Sequence, residues 1–381
     1  MSARVRFDRH ELAGAFGDIG TDLPLLIGLC ATCHLDSASV FAMFGLLQIA
    51  TGLRYGLPMP VQPLKAMTAI MLSKNLAPGV FYGGGIAIGA GVLLLNVTGL
   101  LTGIAKLVPT VVVRGIQLGL GLTLAKVALG NYCLADGTLG IVLAIAGLAV
   151  FLLLRSQQRV PAPLVLIGLG IVYAVVRSGP LSHATAAFGL HLPVFHAPSI
   201  DELKTGAWML ALPQLALSLG NSVIATTKAS SDLFPDRPVT VRSIGYTYAA
   251  MNLVAPWFGG VPACHGCGGL VGFYNFGART GGAPVIYGGL YLVAGVLFAP
   301  ALAELVLLFP LPILGVVLFL ESIALMRLTR DVLHGRTNIA IVALVAGCVL
   351  WVPSGYLVGL VLGTLAAFLA ERHRTPAPVL R

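Results

Sequence analysis

The sequence predicts an all-α polytopic membrane protein with 14 transmembrane segments, arranged as a 7+7 inverted repeat with two half-helices that meet at the midplane. The first observation is composition: of 381 residues, 57% are hydrophobic and only 10% are charged, with a mean hydropathy of +0.94. A soluble protein carries about 25% charged residues, so this excess of apolar surface must face lipid. The net charge of +9 then indicates cytoplasmic loops rather than nucleic-acid binding.

The second observation is the hydropathy pattern, which divides one transport domain (residues 1–381) into two halves. The first repeat, 12–177, contains apolar segments at 12–31, 38–56, 60–74, 80–105, 110–130, 138–154 and 161–177. The second repeat, 206–371, contains apolar segments at 206–228, 240–258, 262–276, 283–303, 305–326, 338–353 and 355–371. The third segment of each half is short and is interrupted by proline and glycine; if both are ordinary loops, the chain has twelve spans.

The two halves also resemble each other at an offset of about 200 residues. The matching stretches are 17–18 with 220–221, 56–63 with 258–265, and 81–84 with 286–289. Each match alone is weak in a chain with 47 glycines, but they come in the same order at nearly one offset. Because seven is an odd number, the second repeat must enter the membrane from the opposite side, which makes the repeat inverted.

The third observation is the distribution of positive charge along this topology. If the N-terminus is cytoplasmic, Lys74, Lys126, Arg177 and Lys204 lie in outer loops and Lys65 lies inside a segment, whereas all other lysines and arginines are cytoplasmic. The positive-inside rule predicts such a bias for the correct topology. We therefore expect an integral protein of the inner (plasma) membrane with both termini in the cytoplasm.

The two short segments carry the candidate chemistry. Each begins with prolines and glycines, at 58–65 and at 259–269, and proline is well tolerated in the first turn of a helix. Each therefore predicts an extended stretch followed by a half-helix. In an inverted repeat the N-termini of the two half-helices point at each other, and their free N–H groups and positive dipole ends form an anion site.

Several residues of these segments are candidates for binding the anion. Lys65 either adds positive charge near the substrate or pairs with a carboxylate, and Gln62 either donates to the substrate or satisfies a backbone carbonyl. His265 either donates to an oxyanion or senses protons, or is simply hydrogen-bonded to backbone. The predicted substrate-binding residues are Gln62, Lys65, Asn221, Cys264, His265 and Gly266.

Two carboxylates lie four residues apart in the first segment and share one helix face. Asp18 and Asp22 are candidates for a proton relay or for partners of Lys65, although Asp18 could instead cap a helix break beside Gly17. Asn221 corresponds to Asp18 in the second repeat and could also serve in interhelical packing. Glu304 and Glu321 lie near segment ends and are predicted to be interfacial.

The cysteines suggest two cofactor sites, and we favour neither. Cys30-Ala31-Thr32-Cys33-His34 matches a c-type haem attachment motif, but it lies where a span should leave the membrane and has no evident distal ligand. Cys264 and Cys267 flank His265, but no second pair of ligands has the spacing of a tetrahedral metal site. We therefore expect no cofactor and no bound metal, and a protein that is not an enzyme.

Three stretches resemble the molybdate transporter family, a branch of the sulfate permease superfamily. They are residues 11–21, residues 58–66, and residues 258–281 with Pro262-Ala263-Cys264-His265-Gly266-Cys267-Gly268-Gly269. The resemblance implies an inverted repeat divided into a substrate-binding core and a gate, with elevator-like alternating access in a homodimer. Asp22, Asn275 and Asn221 depart from the pattern expected there, which puts the coupling ion in doubt.

These observations predict a secondary active transporter of molybdate, with protons or sodium as coupling ion. Sulfate is the nearest alternative, because both anions are tetrahedral dianions of similar size. An anion channel and a membrane electron carrier built on Cys30 and Cys33 are further alternatives.

Overall fold

The computed structural model describes residues 5–154, 162–178, 188–352 and 355–372, and these are almost entirely helical. The helices are α1 (Arg9–Ala15), α2 (Ile19–Cys33), α3 (Ser37–Tyr55), α4 (Lys65–Lys74), α5 (Pro78–Val97), α6 (Leu100–Leu107), α7 (Thr110–Tyr132), α8 (Gly137–Leu154), α9 (Ala162–Ser178), α10 (Ile200–Leu233), α11 (Val241–Val254), α12 (Cys267–Asn275), α13 (Gly282–Leu297), α14 (Ala299–Leu308), α15 (Leu311–Asp331), α16 (Arg336–Trp351) and α17 (Gly355–Arg372). The strands are β1 (Gln62–Pro63) and β2 (Ala263–Cys264).

The helices agree with the predicted membrane fold. Within the described ranges, 6 helices are long and apolar enough to cross a membrane, or up to 8 if each of two bent pairs is one span. The all-helical class is therefore confirmed, whereas 14 crossings and the division into two repeats stay predictions. Residues 161 and 353, at the ends of two predicted segments, lie outside the described residues, as do the arginines of 1–4, 155–161 and 373–381.

Two predicted segment boundaries are wrong, and proline or glycine explains each. The predicted segment 80–105 is divided at Gly99, whose φ of 75° ends α5 and starts the short helix α6. The predicted segments 283–303 and 305–326 overlap the separate helix α14, which bends by 100° from α13. Pro300 lies in the first turn of α14 and Pro310 directly precedes α15, so each proline falls at a helix start.

The helices pack as two groups. In the first group, α3 packs against α13, and α5 packs against α10 and α11. In the second group, α7 packs against α15 and α16, and α16 packs against α17. Helices α2 and α4 lie between the groups, since α2 contacts both α3 and α15, and α4 contacts both α5 and α7.

The packing of α3 against α13 depends on facing glycines. A Cβ atom on Gly45 would lie 2.5 Å from the carbonyl oxygen of Gly288, and a Cβ atom on Gly288 would lie 2.5 Å from that of Gly45. The two backbones therefore touch at this crossing, as small residues allow in membrane helices.

Gly288 and Gly289 are neighbours that offer a matched test of this contact. We expect Gly288→Ala to lower the melting temperature of the detergent-solubilised protein, because overpacking costs about 1–3 kcal/mol. Gly289→Ala should leave it unchanged or raise it, since a Cβ atom there meets nothing within 4 Å and alanine favours the helix. Equal melting temperatures for the two variants would contradict the close crossing.

Candidate anion-binding site

Two short strands bring the half-helices together. Gln62 pairs with Cys264 and Pro63 with Ala263 in an antiparallel ladder, and the Leu64 N–H donates to the Pro262 carbonyl at 2.9 Å. Helix α4 begins two residues after β1, and α12 begins three residues after β2. The prolines keep the residues before them extended, so each strand ends in a helix N-terminus. The predicted meeting of the two half-helices is confirmed.

Two side-chain amides hold these strands to the neighbouring helices in the same way. Gln48 of α3 donates to the Val61 carbonyl at 3.0 Å and accepts from the Val61 N–H at 3.2 Å. Asn252 of α11 donates to the Ala263 carbonyl at 2.6 Å and accepts from the Ala263 N–H at 3.0 Å. The sequence analysis missed both residues, although Gln48 and Asn252 are separated by nearly the offset of the proposed repeat.

Asp18 and Gln62 pack against the start of α12. The Gln62 amide donates to both carboxylate oxygens of Asp18, at 2.7 and 2.8 Å. A Cβ atom on Gly269 would lie 2.2 Å from Asp18 Oδ2, and one on Gly266 would lie 1.6 Å from Gln62 Oε1. These glycines therefore let a carboxylate and an amide reach the positive end of the half-helix.

Lys65, the first residue of α4, forms an ion pair with Glu321 of α15. The hydroxyl of Thr21 lies 3.5 Å from the other carboxylate oxygen. Only 11% of the Glu321 side chain is exposed. The sequence analysis did not name Glu321 as the partner of Lys65, and the interfacial placement of Glu321 stays a prediction. The available signal was that Glu321 is the one charged residue in the apolar segment 305–326.

The first half-helix does not offer all the free N–H groups that the sequence predicts. The side chain of Gln214 accepts from the Ala66 N–H at 2.9 Å and from the Met67 N–H at 3.3 Å. Gln214 in turn donates to Ser218 at 3.0 Å, and Ser218 lies 2.7 Å from the Tyr248 hydroxyl. This buried network caps α4 as an N-cap side chain would.

The second half-helix is open at its first turn. Gly268 is exposed and a Cβ atom there would meet nothing within 4 Å, whereas the residues before Cys267 are buried. Gly266 caps α12 without a side-chain hydrogen bond. An anion therefore has room beside N–H groups that carry the positive end of the helix dipole.

His265 is held by protein groups on both sides of its ring. Nδ1 donates to the Pro60 carbonyl at 2.8 Å, and Nε2 lies 2.7 Å from the Thr247 hydroxyl. The Tyr55 ring packs edge-on against it, with centroids 5.6 Å apart. This geometry matches the alternative in which His265 is hydrogen-bonded to backbone. Direct contact between His265 and the substrate stays a prediction, and both ring nitrogens already have protein partners.

The remaining candidates differ in their surroundings. Cys264 is buried in β2 opposite Gln62. Asn221 is half-buried in a π-helical segment, and its backbone carbonyl accepts from the Thr226 hydroxyl at 3.2 Å. Asp22 is fully buried, and neither of its carboxylate oxygens has a hydrogen-bond partner among the described residues. The structure thus brings Asp18 and Gln62 together, but pairs Lys65 with Glu321 instead of Asp18 or Asp22.

The cysteines of the haem-like motif are packed into helix α2. Cys30 is 5% exposed and Cys33 is 2% exposed, and both belong to the apolar core. Among the described residues, no three His, Cys, Asp or Glu side chains are grouped to hold a metal ion.

Paired half-helices around buried charges define this protein as a membrane transporter of the broken-helix class. The profile of a family described as "Molybdate transporter of MFS superfamily" matches residues 10–124 and 206–325. The chain belongs to this molybdate transporter family.

Curated relatives agree with this assignment. Molybdate transporter 2 of Arabidopsis thaliana is 34% identical over 84% of this chain and 79% of its own length. Molybdate transporter 1 of the same plant is 31% identical over 84% and 80%. Molybdate transporter 1 of Chlamydomonas reinhardtii is 28% identical over 92% and 90%.

Solved structures share the fold at low sequence identity. The transmembrane domain of the cyanobacterial bicarbonate transporter BicA matches with a TM-score of 0.67 at 15% identity, covering 95% of this chain and 98% of that domain. The murine Solute Carrier 26 family member A9 anion transporter in the inward-facing state matches with a TM-score of 0.73 at 10% identity, covering 98% of this chain and 70% of that protein. These matches confirm the predicted sulfate-permease type of fold.

Gly268 and Gly269 allow a matched test of the site geometry. Gly269→Ala should abolish anion binding and lower the melting temperature, because the new methyl group meets the Asp18 carboxylate and Pro60. Gly268→Ala should fold normally, since the space there is open. Molybdate-dependent thermal stabilisation of each purified variant checks both expectations; a normal Gly269→Ala protein would contradict the contact with Asp18.

Proposed function

We propose that this chain carries molybdate into the cell as a secondary active transporter with elevator-like alternating access. Its family and the names of its curated relatives support molybdate as the substrate. The observation that carries the proposal is the open N-terminus of α12. This terminus lies beside Gln62, and the pairing of β1 with β2 brings it near the start of α4, where Lys65 lies. Sulfate is the alternative substrate, because the two tetrahedral dianions have the same charge and similar size.

Binding would use polar groups that are already oriented. The oxygens of the oxyanion would accept from N–H groups in the first turn of α12, where the helix dipole favours negative charge. The Gln62 amide nitrogen donates to Asp18 and its oxygen contacts Gly266, so Gln62 would turn its amide group to donate to an anion at that turn. Neutral donors hold an anion without a full counter-charge, so the anion can also be released.

Glu321 would then act as a built-in competitor of the substrate. Its carboxylate forms an ion pair with the ammonium group of Lys65, and this pair connects α15, which carries Glu321, to α4, which carries Lys65. A dianion that approaches Lys65 must weaken this ion pair. Because α15 packs in the second helix group and α4 lies between the groups, loosening the pair would also free α4 and the first helix group to move against the second.

Asp18 and Asp22 are the proposed route for a coupling proton. Burying an ionised carboxylate without a partner is costly in a low-dielectric interior, and Asp22 has no hydrogen-bond partner among the described residues. A proton on Asp22 during the transport cycle removes that cost. Sodium is the other candidate coupling ion.

We further propose the inner (plasma) membrane as the location, with cytoplasmic termini, and a homodimer as the assembly in the lipid bilayer. The bias of arginines to one side supports the orientation. The Arg114 guanidinium donates to Asp331 at 3.0 Å, which keeps the start of α7 and the end of α15 at the same end of the molecule.

Uptake by proteoliposomes tests the site. We expect Gln62→Ala, and separately the double variant Lys65→Gln/Glu321→Gln, to weaken molybdate binding about 10-fold or more, because a hydrogen bond to a charged group contributes about 1.5–3 kcal/mol. The double variant avoids leaving Glu321 buried and unpaired. Uptake of labelled molybdate, with sulfate as competitor, provides the measurement.

The single variant Glu321→Gln is the control for the competitor role. It keeps Lys65 but removes its carboxylate partner, so molybdate binding should become tighter rather than weaker. If the variants of Gln62 and Lys65 both transport normally, the site assignment is wrong. If sulfate competes as well as molybdate itself, the substrate assignment is wrong.

Imposed ion gradients test the coupling. In proteoliposomes, an inward proton gradient should drive molybdate accumulation and a sodium gradient should not. Asp22→Asn should abolish accumulation driven by the proton gradient but preserve molybdate exchange across the membrane, because exchange needs no net proton movement. Accumulation driven by sodium alone, or unchanged in the variant, would contradict the proton route.

A further inference from the structure

A cavity with positive charge lies at the C-terminal end of half-helix α4. It has a volume of about 540 Å³ and is lined by residues of α4, α7, α16 and α17. Lys74 and Lys126 both line it, and its described lining residues include no aspartate or glutamate. These lysines are two of the four basic residues that the sequence places on the outer side.

The cavity reaches from this end toward the central site. Ile70 and Lys74 of α4 both line it, and Lys65 is the first residue of the same helix. At a rise of about 1.5 Å per residue, Ile70 is about 7.5 Å along the helix axis from Lys65. The cavity therefore extends along somewhat less than half of this half-helix, from Lys74 to Ile70.

A buried hydroxyl group points to a ligand in this cavity. Tyr356 lines the cavity and is only 8% exposed, and its hydroxyl makes no hydrogen bond of normal length and angle among the described residues, although the Thr123 hydroxyl is nearby. Thr123 and Asn131 also line it. A buried hydroxyl without a partner is costly, and an oxyanion oxygen would satisfy it beside two ammonium groups.

A simpler explanation exists for the lysines alone. Lys74 lies in the last turn of α4 and Lys126 near the end of the regular part of α7, where positive charge offsets the helix dipole. That explanation accounts neither for a cavity shared by both lysines nor for the buried hydroxyl of Tyr356 that lines it.

We propose that this cavity is an outer docking site where a small tetrahedral dianion binds, through Lys74, Lys126 and Tyr356, before it reaches the central site. The inference rests on the proposed oxyanion transport and orientation. Two ammonium groups raise the local concentration of anions and their association rate, an effect that salt screens. The site therefore acts on capture of the substrate, not on the turnover of the loaded carrier.

Trp351 lines the same cavity and is 80% exposed, so it is a natural reporter. In a Trp208→Phe/Trp257→Phe background Trp351 is the one tryptophan left, since the chain has three. Its quenching by iodide, an anion, should fall about two- to threefold in Lys74→Gln/Lys126→Gln, whereas quenching by neutral acrylamide should not change. Lys204→Gln, which removes one positive charge outside this cavity, is the matched control for the single variants Lys74→Gln and Lys126→Gln.

Ligand competition then tests the oxyanion itself. In the Trp208→Phe/Trp257→Phe background, molybdate should protect Trp351 from quenching by iodide. Adding Tyr356→Phe should weaken that protection severalfold while quenching by acrylamide stays unchanged. In transport, the double lysine variant should raise KM at low ionic strength with kcat unchanged, and the difference should vanish in high salt.

Iodide quenching that is insensitive to both lysines, or molybdate that gives no protection, would overturn the docking site. Because quenching is measured on detergent-solubilised protein, this failure is separate from failure of the proposed function. If the purified protein does not transport molybdate at all while the lysine effect on iodide persists, the cavity is an anion site and the proposed function is wrong.

Discussion

The pairing of β1 with β2 is the contact on which the arrangement of the site depends. A two-residue ladder is too short to be stable alone, so its position must come from its surroundings. Gln48 and Asn252 supply that support by bonding both the N–H and the carbonyl of one residue in each extended stretch. Once the strands are paired, the N-termini of two half-helices lie side by side, and the glycines of α12 let polar side chains approach them.

The balance of buried charge explains why such a site can bind an anion and still release it. The charge of Lys65 is neutralised by Glu321, and the Asp18 carboxylate is hydrogen-bonded to Gln62, so both groups have partners among the residues of the site. A buried pair is costly to break by removing one partner, but a substrate dianion can replace one carboxylate with another negative group. The site therefore has two competing arrangements, which a transport cycle requires.

The sequence predicts the parts of the structure that depend on local rules. Helix N-termini after proline and the exposed apolar surface both follow from backbone and solvent chemistry. Long-range partners do not follow from such rules. Glu321 is distant from Lys65 in the chain, and Gln214 is distant from Ala66. No local pattern in a single sequence shows that residues so far apart are in contact. The double bonding of His265 likewise depends on Pro60 and Thr247, which come from different segments.

The position of molybdenum in crystals grown with molybdate tests the central claim most directly. Anomalous scattering at the molybdenum absorption edge would locate the metal without assumptions about the protein. The account predicts a peak beside the first turn of α12, with oxyanion oxygens within hydrogen-bonding distance of the Gly268 N–H and the Gln62 amide. A molybdenum peak distant from both half-helix N-termini, in crystals of protein that transports molybdate, would contradict it.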